Sequence, residues 1–118
     1  MPQTPKMAPE DMLPLKPADF HILMVLLNKT LHGYGIMRAV EEESDGRVLL
    51  EVGTMYRLIA RLTDEGLMAE AKRKDSGRRR FYRITPLGKQ VAKLEARRLL
   101  DVVQVARVHD LLSDGEGQ

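Results

Sequence analysis

The chain has 118 residues, no cysteine, and 19 Lys and Arg against 17 Asp and Glu, for a net charge of +2. That length supports one small domain with a modest core. The missing cysteines exclude a disulfide framework and a thiolate metal site, and no apolar run approaches the length of a membrane span.

Residues 1–15 carry Pro2, Pro5, Pro9 and Pro14 among polar residues. This stretch is too poor in apolar groups to bury itself and is expected to be a flexible N-terminal arm, with residues 12–15 as candidates to dock on a partner subunit. It has no secretory-leader pattern, so a cytoplasmic protein is expected. Residues 113–118 are expected to form a flexible tail.

Pro17 suits the first turn of a helix. Phe20, Leu23, Met24 and Leu27 then recur at helical spacing, which predicts a first helix over 18–27. His32-Gly33-Tyr34-Gly35 predicts a turn, with His32 structural and accepting a backbone bond. A second helix is expected from Tyr34 or Gly35 to about Glu43. Ile36, Met37 and Val40 face inward, and Glu41, Glu42 and Glu43 face water. Ser44-Asp45-Gly46-Arg47 is a turn signal, and the apolar run 48–52 is read as a small strand leading onward.

The third helix organises the chain. Val52, Met55, Leu58, Ile59 and Leu62 fall on one side, and Gly53, Arg57, Ala60 and Asp64 on the other, flanked by Tyr56 and Arg61. Thr54 is a cap or first-turn residue, and Gly66 is the stop. Taken alone, such a helix is equally well an ordinary surface helix with solvated charges. Its neighbours add meaning. Residues 67–71 form a weak alternating strand. A basic turn follows, with Lys72, Arg73, Lys74, Arg78, Arg79 and Arg80 around Ser76-Gly77. Phe81-Tyr82-Arg83-Ile84 is a second strand. Strand, basic turn and strand predict a β-hairpin directly after the helix with outward arginines, which is the position of a wing.

Thr85 is a cap and Pro86 a first-turn residue for a last helix reaching about residue 112. Leu87, Val91, Leu94, Leu99, Val102, Val103, Ala106 and Val108 give it more apolar surface than so small a domain can cover. Leu99, Val102, Val103 and Ala106 are therefore expected at a dimer interface. The alternative is that this helix folds back on its own core. The fold class that follows is mainly α with a small β-hairpin. It comprises a winged helix-turn-helix over 16–85 and a long C-terminal dimerisation helix over 86–112.

Catalytic and cofactor chemistry finds no purchase. His21, His32 and His109 lie far apart, none with a ligand partner on one helix face. There is no nucleophile elbow, P-loop or dinucleotide fingerprint. Neither an enzyme nor a metal or cofactor is expected.

In order and spacing, the assembled pieces resemble the PadR family of bacterial transcriptional regulators. They are Leu31-His32-Gly33-Tyr34, Gly53-Thr54-Met55-Tyr56, residues 62–67, and the run from Gly77-Arg78-Arg79-Arg80 to Thr85-Pro86-Leu87-Gly88. The resemblance covers about residues 16–112, and the single C-terminal helix is similar to that of the compact subfamily. It implies a homodimeric winged-helix protein that binds operator DNA, usually as a repressor. In some members it also implies release by a phenolic or drug-like small-molecule effector. With no Trp and few aromatics, an aromatic-lined effector pocket between subunits is not expected here.

Double-stranded DNA and a second copy are thus the expected partners. Thr54, Tyr56, Arg57 and Arg61 are expected in the major groove, where arginine pairs bidentately with guanine. Tyr56 alternatively meets a phosphate or packs at the helix base. Lys72, Arg73, Lys74, Arg78, Arg79 and Arg80 are expected on phosphates or in the flanking minor groove. The alternative function is a winged-helix protein-interaction module that meets an acidic partner and does not bind DNA.

Overall fold

The computed structural model describes residues 7–72 and 77–112. Four helices and three short strands follow one another: α1 (Pro17–Val25), β1 (Leu31–His32), α2 (Gly33–Glu43), α3 (Val52–Asp64), β2 (Met68–Ala71), β3 (Phe81–Ile84) and α4 (Pro86–Val108). A 3-10 turn, Pro9–Met12, precedes them. This is a winged helix-turn-helix with a long C-terminal helix.

Pro17 opens α1, where its missing N–H costs no intrahelical bond. The helix buries Asp19, Ile22, Leu23 and Val25, with Leu26 just beyond it. The expected stripe shifts: Leu23 is buried, Phe20 and Met24 are half-buried, and Leu27 is exposed. α1 is apolar almost all round, so periodicity alone does not choose its inner face. Neighbours on α2 and α4 choose it instead. Ile22, Leu23 and Leu26 are essentially inaccessible, and each contributes about 1.5–3 kcal/mol of burial.

β1 takes the place of an expected turn. Leu31 pairs with Tyr82 and His32 with Phe81, so the sheet is antiparallel in the order β1-β3-β2. His32 closes the strand and also caps α2: its Nδ1 accepts the Gly35 N–H at 3.2 Å. α2 buries Ile36 and Val40, with Met37 half-buried, and exposes Glu41, Glu42 and Glu43.

The small strand expected over 48–52 does not form. Ser44 Oγ accepts the Val48 N–H at 2.9 Å and donates to the Val48 carbonyl at 3.3 Å. The backbone of Val48 is thereby spent within a loop, and the free edge of β3 is already filled by β1. Val52 instead begins α3, whose buried side is Met55, Leu58, Ile59 and Leu62.

Gly66, at φ +82°, ends α3. Its N–H donates to the Thr63 carbonyl, and the next N–H, from Leu67, reaches back to Leu62, which closes the helix with a left-handed cap. β2 then pairs with β3 from Met68↔Ile84 to Ala71↔Phe81, which makes the expected hairpin. Thr85 caps α4 by accepting the Gly88 N–H at 3.0 Å, and it donates to the Gly66 carbonyl at 2.6 Å.

α4 runs 23 residues, roughly 35 Å at 1.5 Å per residue. It ends at Val108, four residues before the expected limit. Asp110 takes φ 66°, and the Leu111 N–H returns to the Ala106 carbonyl. The first half of α4 buries Gly88, Val91, Ala92 and Glu95 against the core. From Leu99 onward its side chains are exposed or only half-buried.

The arm expected to be flexible over 1–15 is described from Met7, and it is anchored. Met12, Leu13 and Leu15 pack against the core, and the Leu15 N–H donates to Glu95 Oε1 at 3.3 Å. The reason is a small apolar cluster near its end and a buried acceptor on α4. Residues 12–15 thus dock on their own chain. Residues 1–6 of the arm and the tail 113–118 lie outside the described residues.

Candidate nucleic-acid interface

α3 and the wing form two walls of one open groove of about 600 Å³. Tyr56 on α3 faces Arg78, Arg79 and Arg80 of the wing, with Tyr82 between them and His32, Gly33 and Tyr34 at the start of α2 completing the wall. Among the described residues that line the groove none is a carboxylate. Three guanidinium groups and the N-terminal end of α2 contribute positive potential there.

The sequence explains how Tyr56 reaches this position. α2 and α3 approach most closely at Gly33. A β-carbon there would meet Met55 Cε and the Tyr56 hydroxyl at 3.1 Å. Glycine at 33 thus lets the Tyr56 ring lie against the start of α2. The ring remains about half exposed, at 47%. Tyr34, 52% exposed, stands beside it. Tyr34, expected within a turn or at the start of the second helix, stands in the first turn of α2 on the groove wall.

Arg57 is exposed on the same helix, and Thr54 is half-buried in its first turn. Glu51 is the N-cap of α3, and its side chain makes no capping bond. The cap alternative for Thr54 therefore drops out. Gly53 has open space around it, so the α3 N-terminus presents little bulk.

Arg61 differs from Arg57. Its Nη2 lies 2.9 Å from both carboxylate oxygens of Asp19, a residue 42 positions earlier on α1. Its Nη1 lies 3.5 Å from Glu65, one turn along α3. The hydrogen bond to Asp19 raises the Arg61 pKa further above its already high ordinary value. The Asp19 side chain is only 5% exposed and the Arg61 side chain 38%. The expectation that Arg61 stands beside Arg57 as a second base reader gives way, because its guanidinium is turned to α1 and occupied there. A signal for this existed in the sequence. Asp19, Ile22, Leu23 and Leu26 share one helical face, and an acid on an apolar face needs a buried cation.

On the wing, Lys72, Arg78, Arg79 and Arg80 are exposed. Arg73 and Lys74, expected alongside them, lie outside the described residues. Tyr82 sits on β3 opposite Glu70, one pair in from the turn end of the hairpin. Burial first, and then the charge of Glu70, push its phenol above the usual tyrosine pKa, while a hydrogen bond and the charge of Arg80 pull the other way. Tyr82 thus stays protonated and able to donate near neutral pH.

On α4, Leu99, Val102, Val103 and Ala106 share one face. Leu99 is 37% and Val102 52% exposed, while Val103 and Ala106 are half-buried. Among the described residues no group of three or more His, Asp or Glu could hold a metal ion, and no helix is long and apolar enough to cross a membrane.

Known proteins share this fold. Residues 22–94 match the transcriptional regulator PadR-like family. A transcriptional regulator from Clostridium thermocellum is 25% identical and superposes with a TM-score of 0.66, over 80% of this chain and 92% of its own. Bacillus subtilis PadR, solved in complex with operator DNA, is 26% identical with a TM-score of 0.59, over 68% of this chain and 46% of its own. A 37.1 kDa protein of transposon TN4556 from Streptomyces fradiae is 35% identical over 79 residues. This chain spans about a fifth of that relative's length, with 22% covered against 67% of the chain.

Proposed function

The chain belongs to the PadR-like family of transcriptional regulators, and on that premise we propose that it is a homodimeric repressor that binds an inverted-repeat operator. The carrying observation is the groove lined by Tyr56 of α3 and the three wing arginines, with no acid among its described lining residues. A duplex seated there meets the Tyr34 and Tyr56 hydroxyls on one wall and the wing guanidinium groups on the other. In this reading Arg57, with Thr54 and Tyr56, approaches base edges in the major groove. Lys72, Arg78, Arg79 and Arg80, with Arg73 and Lys74, hold phosphates beside it. Arg61, bound to Asp19, supports the helix and does not read bases.

The exposed face of Leu99, Val102, Val103 and Ala106 supports dimerisation through α4. Too apolar to be left in water, it is continuous with the part of the helix already packed on the core. Two copies joined there carry two readers related by a two-fold axis, which calls for an inverted repeat with half-sites one helical turn apart or a multiple of it. Selection from a random duplex library, followed by sequencing of the bound fraction, tests the whole proposal. The expected product is a two-fold symmetric site. A chain that random duplex does not retain even at low salt would instead be a protein-interaction module.

A further inference from the structure

Two buried carboxylates lie away from the DNA-facing groove and tie its helices together. Asp19 on α1 grips Arg61 of α3 through both oxygens at 2.9 Å. Glu95 on α4, 2% exposed, accepts the Leu15 N–H at 3.3 Å and holds Nε and Nη2 of Arg98 at 2.9 and 2.7 Å. Leu15 and Asp19 are separated by little more than the start of α1, where the Phe20 N–H already closes on the Lys16 carbonyl. A short path therefore runs from α4 through Glu95, Leu15 and the first turn of α1 to Asp19, and from there through Arg61 into α3.

Each link in this path is directional. An apolar contact can slide, whereas a guanidinium shared between two carboxylate oxygens resists rotation. Burying a carboxylate is costly unless it is paired, and a well-packed apolar pair would serve stability as well or better. What the ionic path adds is orientation. Arg61 lies one turn beyond Arg57 on α3, so the direction in which Arg61 is held sets the rotation of α3 about its axis. That rotation determines where Arg57 points.

We propose that Asp19 and Glu95 are positioning residues that fix the reading helix against the C-terminal helix, and so set the half-site spacing the dimer accepts. This inference rests on the reading of the chain as a dimeric DNA-binding regulator. Neither carboxylate touches the duplex. Each acts through the angle between α3 and α4.

The test uses the full chain and the selected operator, together with versions carrying one or two extra base pairs between the half-sites, and a random duplex as control. Wild type, Asp19→Asn, Glu95→Gln and Arg61→Lys are compared by binding isotherms over a salt series and by thermal melting. Wild type should prefer its own spacing. Asp19→Asn and Glu95→Gln should bind the operator about fivefold more weakly, the size of one lost ordinary hydrogen bond, since each amide keeps part of the contact. The respaced duplexes should lose less, so the spacing preference narrows while random-duplex affinity and salt slope stay constant. Arg61→Lys keeps the charge but has no second nitrogen to meet Glu65 while it holds Asp19, and it should fall between. If Asp19→Asn does not fold, the other two variants carry the same comparison. Folded variants that keep the full spacing preference, or lose affinity equally on every duplex, would overturn the inference and leave the regulator standing. A wild type indifferent to spacing would remove the dimeric reading and this inference together.

Discussion

Gly88 lies so close to the carbonyl oxygen of Leu67 that no β-carbon fits between them. The same carbonyl accepts the Thr85 N–H at 3.1 Å, and Thr85 also caps the turn in which Gly88 sits. The end of α3, the exit of the wing and the start of α4 therefore converge within a few residues. This junction fixes the wing relative to α3.

Gly88→Ala tests the junction. Helix propensity alone favours alanine by about 1 kcal/mol. Against it, the new methyl would run into the Leu67 backbone and the Ile84 side chain, and overpacking against a backbone atom that cannot swing aside costs about 3 kcal/mol, the upper end of the usual range. The net expectation is destabilisation by about 2 kcal/mol in urea titration, with DNA binding weakened beyond what unfolding explains. A variant as stable as wild type would show that the joint can move without cost.

The two kinds of cation at the groove should separate in binding assays. Arg57 is exposed on α3. Arg57→Ala should lose roughly 1–3 kcal/mol on the operator and relax preference at one position in each half-site. Replacing Arg78, Arg79 and Arg80 together by Ala should weaken operator and random duplex more evenly. It should also flatten the salt dependence by up to about five units of slope for two wings. If the wing variant loses sequence preference and keeps its slope, the roles are reversed and the wing reads bases.

Dimerisation through α4 is open to a substitution that spares the protomer fold. Val102 is 52% exposed in the single chain, so Val102→Glu leaves the core intact. Enclosed in a dimer, the same carboxylate would be buried without a partner and cost several kcal/mol, on the order of 3. Sedimentation should show a monomer whose core remains folded and which binds the operator poorly. An unchanged dimer would remove this face from the interface.

Acid should loosen the arm. The Arg98 hydrogen bonds hold the Glu95 carboxyl below its ordinary value; burial opposes this, and the Leu15 N–H adds to it. A carboxylate whose folded pKa is lowered contributes stability that is complete above the ordinary glutamate value of about 4.5. That contribution is lost as pH falls through the lowered folded value. Melting temperature should therefore drop more steeply in wild type than in Glu95→Gln as pH falls from about 4.5 through the lowered folded value, and proteolysis of the arm should increase in parallel. Equal acid sensitivity in the two proteins would assign the effect to other carboxylates.

Much of the architecture was legible because it depends on local chemistry. The apolar face of α3, the glycine at 66, the Thr85-Pro86 start of α4 and the basic hairpin each follow from backbone geometry or periodicity within a few residues. His32 as a backbone acceptor was legible for the same reason, since its partner is Gly35.

Other features needed the third dimension. β1 is two residues long, too short for an alternating pattern, and exists because β3 offers an unpaired edge. Arg61 and Arg57 look alike along the chain. Only the packing of α1 on α3 brings the buried Asp19 to one of them and leaves the other in water. The arm looks featureless until Glu95, 80 residues away from Leu15, supplies its acceptor. Periodicity tells which side of a helix turns inward, but not which charge waits there, because burying an ion is tolerable only opposite a partner that the rest of the chain must deliver.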